Sequence, residues 1–370
     1  MRIFFLHFIS FLLCCMFLLQ EVGQTHATSN VPTISTNHYI LMESTTGRVL
    51  LEENADERMP IASITKVMTA VVALQYGNLD DQITISRDAI QTEGSSIYLE
   101  EEEKVTLEDL LYGLILRSGN DAAKAIAEHI GESEEGFTYL MNETAEYLGM
   151  TNSHFMNPHG LDEPGHYSSA HDMALLMSYA MMDETFAEIS QTKSYQATGR
   201  TYPWRNKNKL LTSLYPYSTG GKTGFTTTAG RTLVSTASKN HLDLITVTLN
   251  APEDWQDHIN LFDYGFSAYE LVRLAKHGDR TFSVNGKTKT GHVLEDVVLP
   301  LTQREQDNMH NTIQIYTEPN HDHIGKMVFK VDRNKELREV PLFHTETKKA
   351  GNDLKLWEHL WLLGGTSDND

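Results

Sequence analysis

A serine and a lysine three positions apart, Ser63 and Lys66, sit in the stretch PIASITKVMTA at what the pattern reads as the first turn of a helix. Side chains at i and i+3 share a helix face. The hydroxyl then lies beside the amine and near the positive end of the helix dipole, which favours alkoxide character. Lys66 must be at least partly neutral to take the proton, and burial or nearby cations move a lysine pKa in that direction. The spacing alone is weak, because serine at a helix start ordinarily caps it and lysine at the second turn ordinarily faces water. Ser190-Gln191-Thr192-Lys193 fits the same pattern.

Two further motifs give Ser63 a setting that Ser190 lacks. Ser118-Gly119-Asn120 breaks a helical stretch, so a hydroxyl and an amide could reach inward from a polar loop. Lys222-Thr223-Gly224 is entered through Gly220-Gly221, whose missing side chains leave room for a substrate backbone. Together they would supply a proton relay, an anchoring amide and a cationic strand. Lys289-Thr290-Gly291 is a second Lys-Thr-Gly, set aside because the copy at 222 continues into FTTTAGRTLVSTAS beside a plausible partner strand. Ser-x-x-Lys, Ser-x-Asn and Lys-Thr-Gly, in that order, are the set found in penicillin-interacting serine enzymes.

With ASITKVMTA, TEGSSIYLE, YGLILRSGNDAAKAIAEHI, NPHGLD and GGKTGFT in this order, nearly the whole exported chain resembles the D-alanyl-D-alanine carboxypeptidases of peptidase family S11, the low-molecular-mass penicillin-binding proteins. KNKLLTSLYPYSTGGKTG resembles the sporulation-associated type of endospore-forming bacilli, which implies a role in spore cortex maturation. The resemblance implies an α/β (α+β) fold of the penicillin-binding-protein/β-lactamase type, an antiparallel sheet with a helical cluster, followed by a small all-β domain. It implies Ser63 as acylated nucleophile, Lys66 as its base, Ser118 as proton relay and Asn120 as holder of the substrate amide. Lys222 and Thr223 would face the substrate carboxylate, with Gly224 beside them. The oxyanion would meet the N–H of Ser63 and one after Gly224, assigned to Thr226. Some relatives add a carboxylate-binding arginine, yet APEDWQDHIN has none; Arg231 could serve, or Lys222 with the hydroxyls alone. No cofactor and no metal are implied, and β-lactam antibiotics would acylate Ser63 as inhibitors.

The elements that must position these residues follow from periodicity. His38 to Leu51 reads as a hairpin turning at Thr46-Gly47. Ile64, Val67, Met68, Val71 and Val72 recur at helical spacing, a buried helix. Thr106, with Asp109 three on, caps the next helix, which breaks at Ser118-Gly119-Asn120. Helices at Glu134–Leu148 and Ala170–Met182 precede strands at GGKTGFT, RTLVSTAS and LDLITVTLN, and this order points to one mixed sheet covered by helices. Past Lys276 the chain alternates in short strands. The division is a signal peptide 1–27, a catalytic domain 28–276, a β-rich domain 277–346 and an amphipathic tail 347–370.

At 370 residues, 40% hydrophobic and 22% charged, the chain reads as globular. Its start carries Arg2, an apolar run and a cleavage triplet ending at Ala27, a secretory signal; an uncleaved anchor is the alternative. Cys14 and Cys15 lie inside this segment, so the exported form keeps no thiol. The net charge of −20 argues against nucleic acid, whose binding rests on phosphate neutralisation. LKLWEHLWLL, too short to span a bilayer, reads as a helix lying on the membrane surface or as a cap on the β-rich domain. His321-Asp322-His323 reads as a solvated loop, since no fourth ligand stands at useful spacing. The function these readings favour is an extracytoplasmic carboxypeptidase acting on peptidoglycan stem pentapeptides. The alternatives are a D,D-transpeptidase or endopeptidase, a β-lactamase, and a non-catalytic wall-binding module.

Overall fold

The computed structural model describes residues 31–284, 286–316, 323–332 and 335–344; the segment ending at Ala27, the tail from 347 and the pair His321-Asp322 lie outside them. Strands β1 (Tyr39–Glu43) and β2 (Val49–Glu53) form the hairpin read from the sequence. The buried Glu43 carboxylate closes its turn by accepting from the N–H groups of Thr45 and Thr46, and Gly47 takes φ +66 there.

The partner of β1 lies far away in sequence. Strands β3 (Ser218–Thr226), β4 (Gly230–Lys239) and β5 (Leu242–Thr248) complete a five-stranded sheet in the order β2-β1-β5-β4-β3. Element order alone points to a mixed sheet, yet every pairing is antiparallel. Tight connections join β3 to β4 and β4 to β5, and β1 runs against β5 with Ile40 opposite Val247.

Each strand divides its apolar residues between two faces. Ile40 and Met42 join the main core with the helices α1 (Lys66–Tyr76), α2 (Leu107–Tyr112), α3 (Asn120–Gly131), α4 (Glu134–Tyr147), α5 (Ala170–Met181) and α6 (Glu184–Gln191). Tyr39 and Leu41 face the other way, onto α7 (Asp254–Ala268) through Leu261 and Phe262. Helix α1 is buried continuously from Lys66 to Ala73, so it runs through the core rather than along a surface. Thr106 caps α2 by accepting from Asp109 N–H at 3.1 Å, the signal read from spacing.

After α7, β6 (Glu270–Ala275) pairs with β9 (Val297–Leu301). A second five-stranded sheet holds β7 (Gly278–Val284), β8 (Lys287–Val293), β10 (His310–Ile315), β11 (His323–Val331) and β12 (Lys335–Phe343), ordered β7-β8-β12-β11-β10. Its own core is built on Val293, Met327, Phe329, Val340 and Leu342. One short helix, α8 (Gln303–Asn308), interrupts what the sequence reads as purely β; the capping box Thr302/Glu305 starts it. Arg48, in the first hairpin, donates to the Pro300 carbonyl and pairs with Glu305. No helix among the described residues is long and apolar enough to cross a membrane.

Candidate active site

Ala62 to Thr65 form a 3-10 turn that runs into α1 at Lys66. Neither element has a side-chain cap bond, so the capping account of Ser63 does not hold. Ala62 takes φ +50, a conformation that costs a non-glycine residue energy and tends to gather at functional sites. Lys66 is completely buried, and its Nζ lies 3.0 Å from Ser63 Oγ, 2.7 Å from Asn120 Oδ1 and 2.5 Å from the His159 carbonyl oxygen. The last two groups can only accept. A neutral amine therefore directs its two N–H bonds to them and its lone pair to the Ser63 hydroxyl. Burial first, then the neighbouring cations Lys222 and Lys207, hold the Lys66 pKa well below the ordinary lysine value.

The second motif is placed by a strained turn. A five-residue π-type turn, Gly113–Arg117, ends α2, and Ser118 follows in the left-handed region at φ 64. Ser118 is buried and its Oγ accepts from Lys222 Nζ at 3.0 Å. Asn120 opens α3; besides Lys66 it binds the Glu93 carbonyl through Nδ2 (2.5 Å) and the Ser95 carbonyl through its N–H (2.6 Å). Next to it, the buried Asp121 carboxylate accepts from Ser96 Oγ and from the N–H of Ile97. The loop 93–97 is thus tied to the same helix end that presents Asn120. Lys207 donates to Ser95 Oγ at 3.1 Å on this loop.

Strand β3 brings the third motif to the sheet edge. Lys222 is buried, and burial with the Lys207 charge lowers its pKa to about 7. Besides Ser118 it donates to the Thr223 carbonyl at 2.7 Å. Gly224 lies against the nucleophile turn: a Cβ there would stand 2.9 Å from Ser63 N and 2.4 Å from Thr232 Oγ1. Only glycine lets β3 come this close.

The direction of the backbone donors follows from two hydrogen bonds on the outer sides of β3 and β4. Gly221 gives its N–H to Ser190 Oγ at 2.9 Å on the outer side of β3, and Arg231, opposite Phe225, accepts from Ala251 N–H at 2.9 Å on the far side of β4. In an antiparallel ladder these directions alternate residue by residue. The Phe225 N–H therefore points to the open edge, and that of Thr226 points into β4. The Thr226 hydroxyl accepts from Ala229 N–H and donates to Asp162 Oδ1 at 2.8 Å, which ties β3 to the loop after α4 rather than to an oxyanion.

Arg231 is held by Asp254 at 2.7 and 2.9 Å and lies over the Trp255 ring, on α7. It is on the α7 face of β4, with Leu233, whereas Val234, opposite Lys222, faces the helices. Of the two alternatives for the carboxylate, Lys222 is the one at the site. Ser190 serves only to pin Gly221, and Lys289 is exposed on β8.

Three contributors were not singled out from the sequence, although each lies in a stretch that carries the resemblance: His159 in NPHGLD, Glu93 in TEGSSIYLE and Lys207 in KNKLLTSLYPYSTGGKTG. The His159 carbonyl acts through its backbone, so its side chain says nothing; only the turn Asn157-Pro158-His159-Gly160, closed by Gly160 N–H onto Asn157 Oδ1 at 2.7 Å, hints at it. Lys207 and Glu93 reach the site by tertiary placement alone.

The sequence profile of the D-alanyl-D-alanine carboxypeptidases, peptidase S11, matches residues 25–253. The chain belongs to that family. It is similar to the D-alanyl-D-alanine carboxypeptidase DacF of Bacillus subtilis (34% identical over 342 residues, 84% of this chain and 86% of that one). It is also similar to DacC of Escherichia coli (38% over 269 residues, 69% and 67%). Among solved structures, penicillin binding protein 5 of Haemophilus influenzae superposes with a TM-score of 0.74 at 28% identity, covering 85% of this chain and 97% of that one. A Streptomyces K15 DD-transpeptidase does so at 0.61 and 34%, covering 64% and 99%. Membership makes the chain a serine-type D-alanyl-D-alanine carboxypeptidase of the penicillin-binding protein class, and the antiparallel sheet with its helical cluster is the fold of that class.

Proposed function

We propose that this D-alanyl-D-alanine carboxypeptidase trims peptidoglycan stem pentapeptides outside the cytoplasm through an acyl-enzyme on Ser63. The observation that carries the assignment is Lys66: a buried amine with two acceptor-only neighbours and its third direction on Ser63 Oγ. Ser63 Oγ attacks the carbonyl of the penultimate D-alanine while its proton passes to Lys66. The oxyanion rests on the N–H groups of Ser63 and, on the ladder geometry, Phe225 in place of Thr226. The C–N bond breaks, and the departing amine of the last D-alanine takes the proton through Ser118. Asn120 has a second Nδ2 hydrogen for the substrate amide, and Lys222 with Thr223 faces the carboxylate. Water then hydrolyses the ester and restores the serine.

Residues 28–276 would form the catalytic domain and 277–346 a β-rich one, a division supported by their two five-stranded sheets, although β6 pairs with β9 across this boundary and Ala275 packs in the β-rich core. Export, surface attachment through 347–370, and a part in spore cortex maturation are finer proposals that rest on the sequence patterns. Mass spectrometry after penicillin treatment tests the assignment: the adduct is expected on the peptide containing Ser63, and Ser63→Ala should abolish D-alanine release. Release that persists in that variant sinks the proposal. A transpeptidase second step is favoured by the likeness to the Streptomyces K15 protein. Incorporation of an added amine into the product would reveal it.

A further inference from the structure

The segment that carries Ser63 is held from one side by a chain of hydrogen bonds starting at a buried histidine. The N–H of Met156 points at His166 Nδ1 (3.1 Å), and a backbone N–H can only donate, so Nδ1 accepts and the ring proton sits on Nε2. Nε2–H then donates to Thr65 Oγ1 at 2.8 Å, and Thr65 Oγ1–H donates to the Ala62 carbonyl at 2.8 Å. Every donor in this chain is directed, and it ends on the residue before the nucleophile, the one at φ +50. Gly160 closes on the same carbonyl from the loop: a Cβ there would stand 2.0 Å from Ala62 O. Packing does not do this work alone, because a cavity of about 300 Å³ lined by Pro60, Ala62, Asp162, His166 and Thr228 lies alongside. Burial keeps His166 neutral, lowering its pKa to about 4 against the opposing pull of Asp162.

We infer that His166, acting through Thr65, is a positioning residue for acylation: it fixes the Ala62 carbonyl and so the strained turn that aims the Ser63 hydroxyl and N–H. The inference rests on the reading of Ser63 as nucleophile. His166 touches neither substrate nor the reacting atoms; it sets where they stand, and misplacement of about 1 Å costs a reaction on the order of 10²-fold.

The test compares His166→Phe, Thr65→Val and His166→Gln in the full chain, using acylation by a fluorescent penicillin and release of D-alanine from a D-Ala-D-Ala-ended peptide. His166→Phe and Thr65→Val are expected to slow acylation and kcat about 10- to 100-fold with KM within about twofold. His166→Gln, whose amide can accept from Met156 and donate to Thr65, should recover to within about threefold of the unaltered protein, and the Phe/Val double variant should be no slower than the worse single one. Thr65→Val is nearly isosteric and stands in should the Phe variant fail to fold. Acylation at the unaltered rate in Thr65→Val, or a His166→Gln as slow as His166→Phe, overturns the inference. The adduct is located in the unaltered protein at the same time; its absence from Ser63 would overturn the nucleophile reading instead.

Discussion

Two lysines in one dry pocket cannot both carry charge without a large desolvation penalty, and the proposed reaction needs them in opposite states. Lys66 must be neutral to take the serine proton, so acylation should rise with pH through its lowered pKa. Lys222 must be cationic to hold a carboxylate, so KM for a peptide substrate should rise as pH passes about 7, where Lys222 deprotonates. Lys207 depresses both. In Lys207→Met both limbs should therefore move to higher pH, read from kcat and KM profiles between pH 5 and 10. Lys66→Arg, permanently charged, should lose about 10²- to 10⁴-fold in acylation. Ser63 and Lys66 were legible because their spacing sets them side by side and Ser-x-Asn and Lys-Thr-Gly follow in order, which the same spacing at Ser190 and Lys193 lacks. Lys207 and the His159 carbonyl were not, because nothing local distinguishes them from a surface lysine and an ordinary turn.

The elements set distances that side chains then exploit. Gly224 allows β3 to press on the Ser63 N–H, so Gly224→Ala is expected to slow acylation at least about 10-fold, measured with the same fluorescent penicillin, since the new methyl would stand 2.4 Å from the Thr232 hydroxyl, itself tied to the Ile61 carbonyl, and 2.9 Å from the Ser63 backbone nitrogen. Asp121 ties the loop 93–97 to the start of α3. Asp121→Ala should lower unfolding free energy by about 3 kcal/mol in denaturant, because its backbone and hydroxyl donors stay buried without an acceptor. The period of α1 and the cap of α2 could be read along the chain. The order of the strands could not, since β1 against β5 is a pairing between distant segments, and the π-type turn that throws Ser118 into the left-handed region has no signature in residue type.

At the level of the whole molecule, buried neutral histidines set the response to acid. His159 and His258 have pKa values lowered to about 3 and His166 to about 4, all by burial first, against 6.5 when unfolded. The unfolded chain binds their protons first. Stability is therefore full above about pH 6.5 and falls as pH drops toward 4 for His166 and 3 for the other two, each group removing about 1.4 kcal/mol per pH unit inside its window. Urea midpoints measured from pH 7.5 to 4 should show this decline, and His258→Gln should soften it.

Strand β1 of the main sheet is made early and gains its inner neighbour β5 late: the Ile40 carbonyl accepts from the Thr246 hydroxyl, 206 positions further on. Until that stretch emerges, the β1–β2 hairpin has no inner strand to pair with, so the main sheet cannot assemble until well into synthesis. A protein ended after Lys239, which lacks β5, should stay open to protease and bind no penicillin.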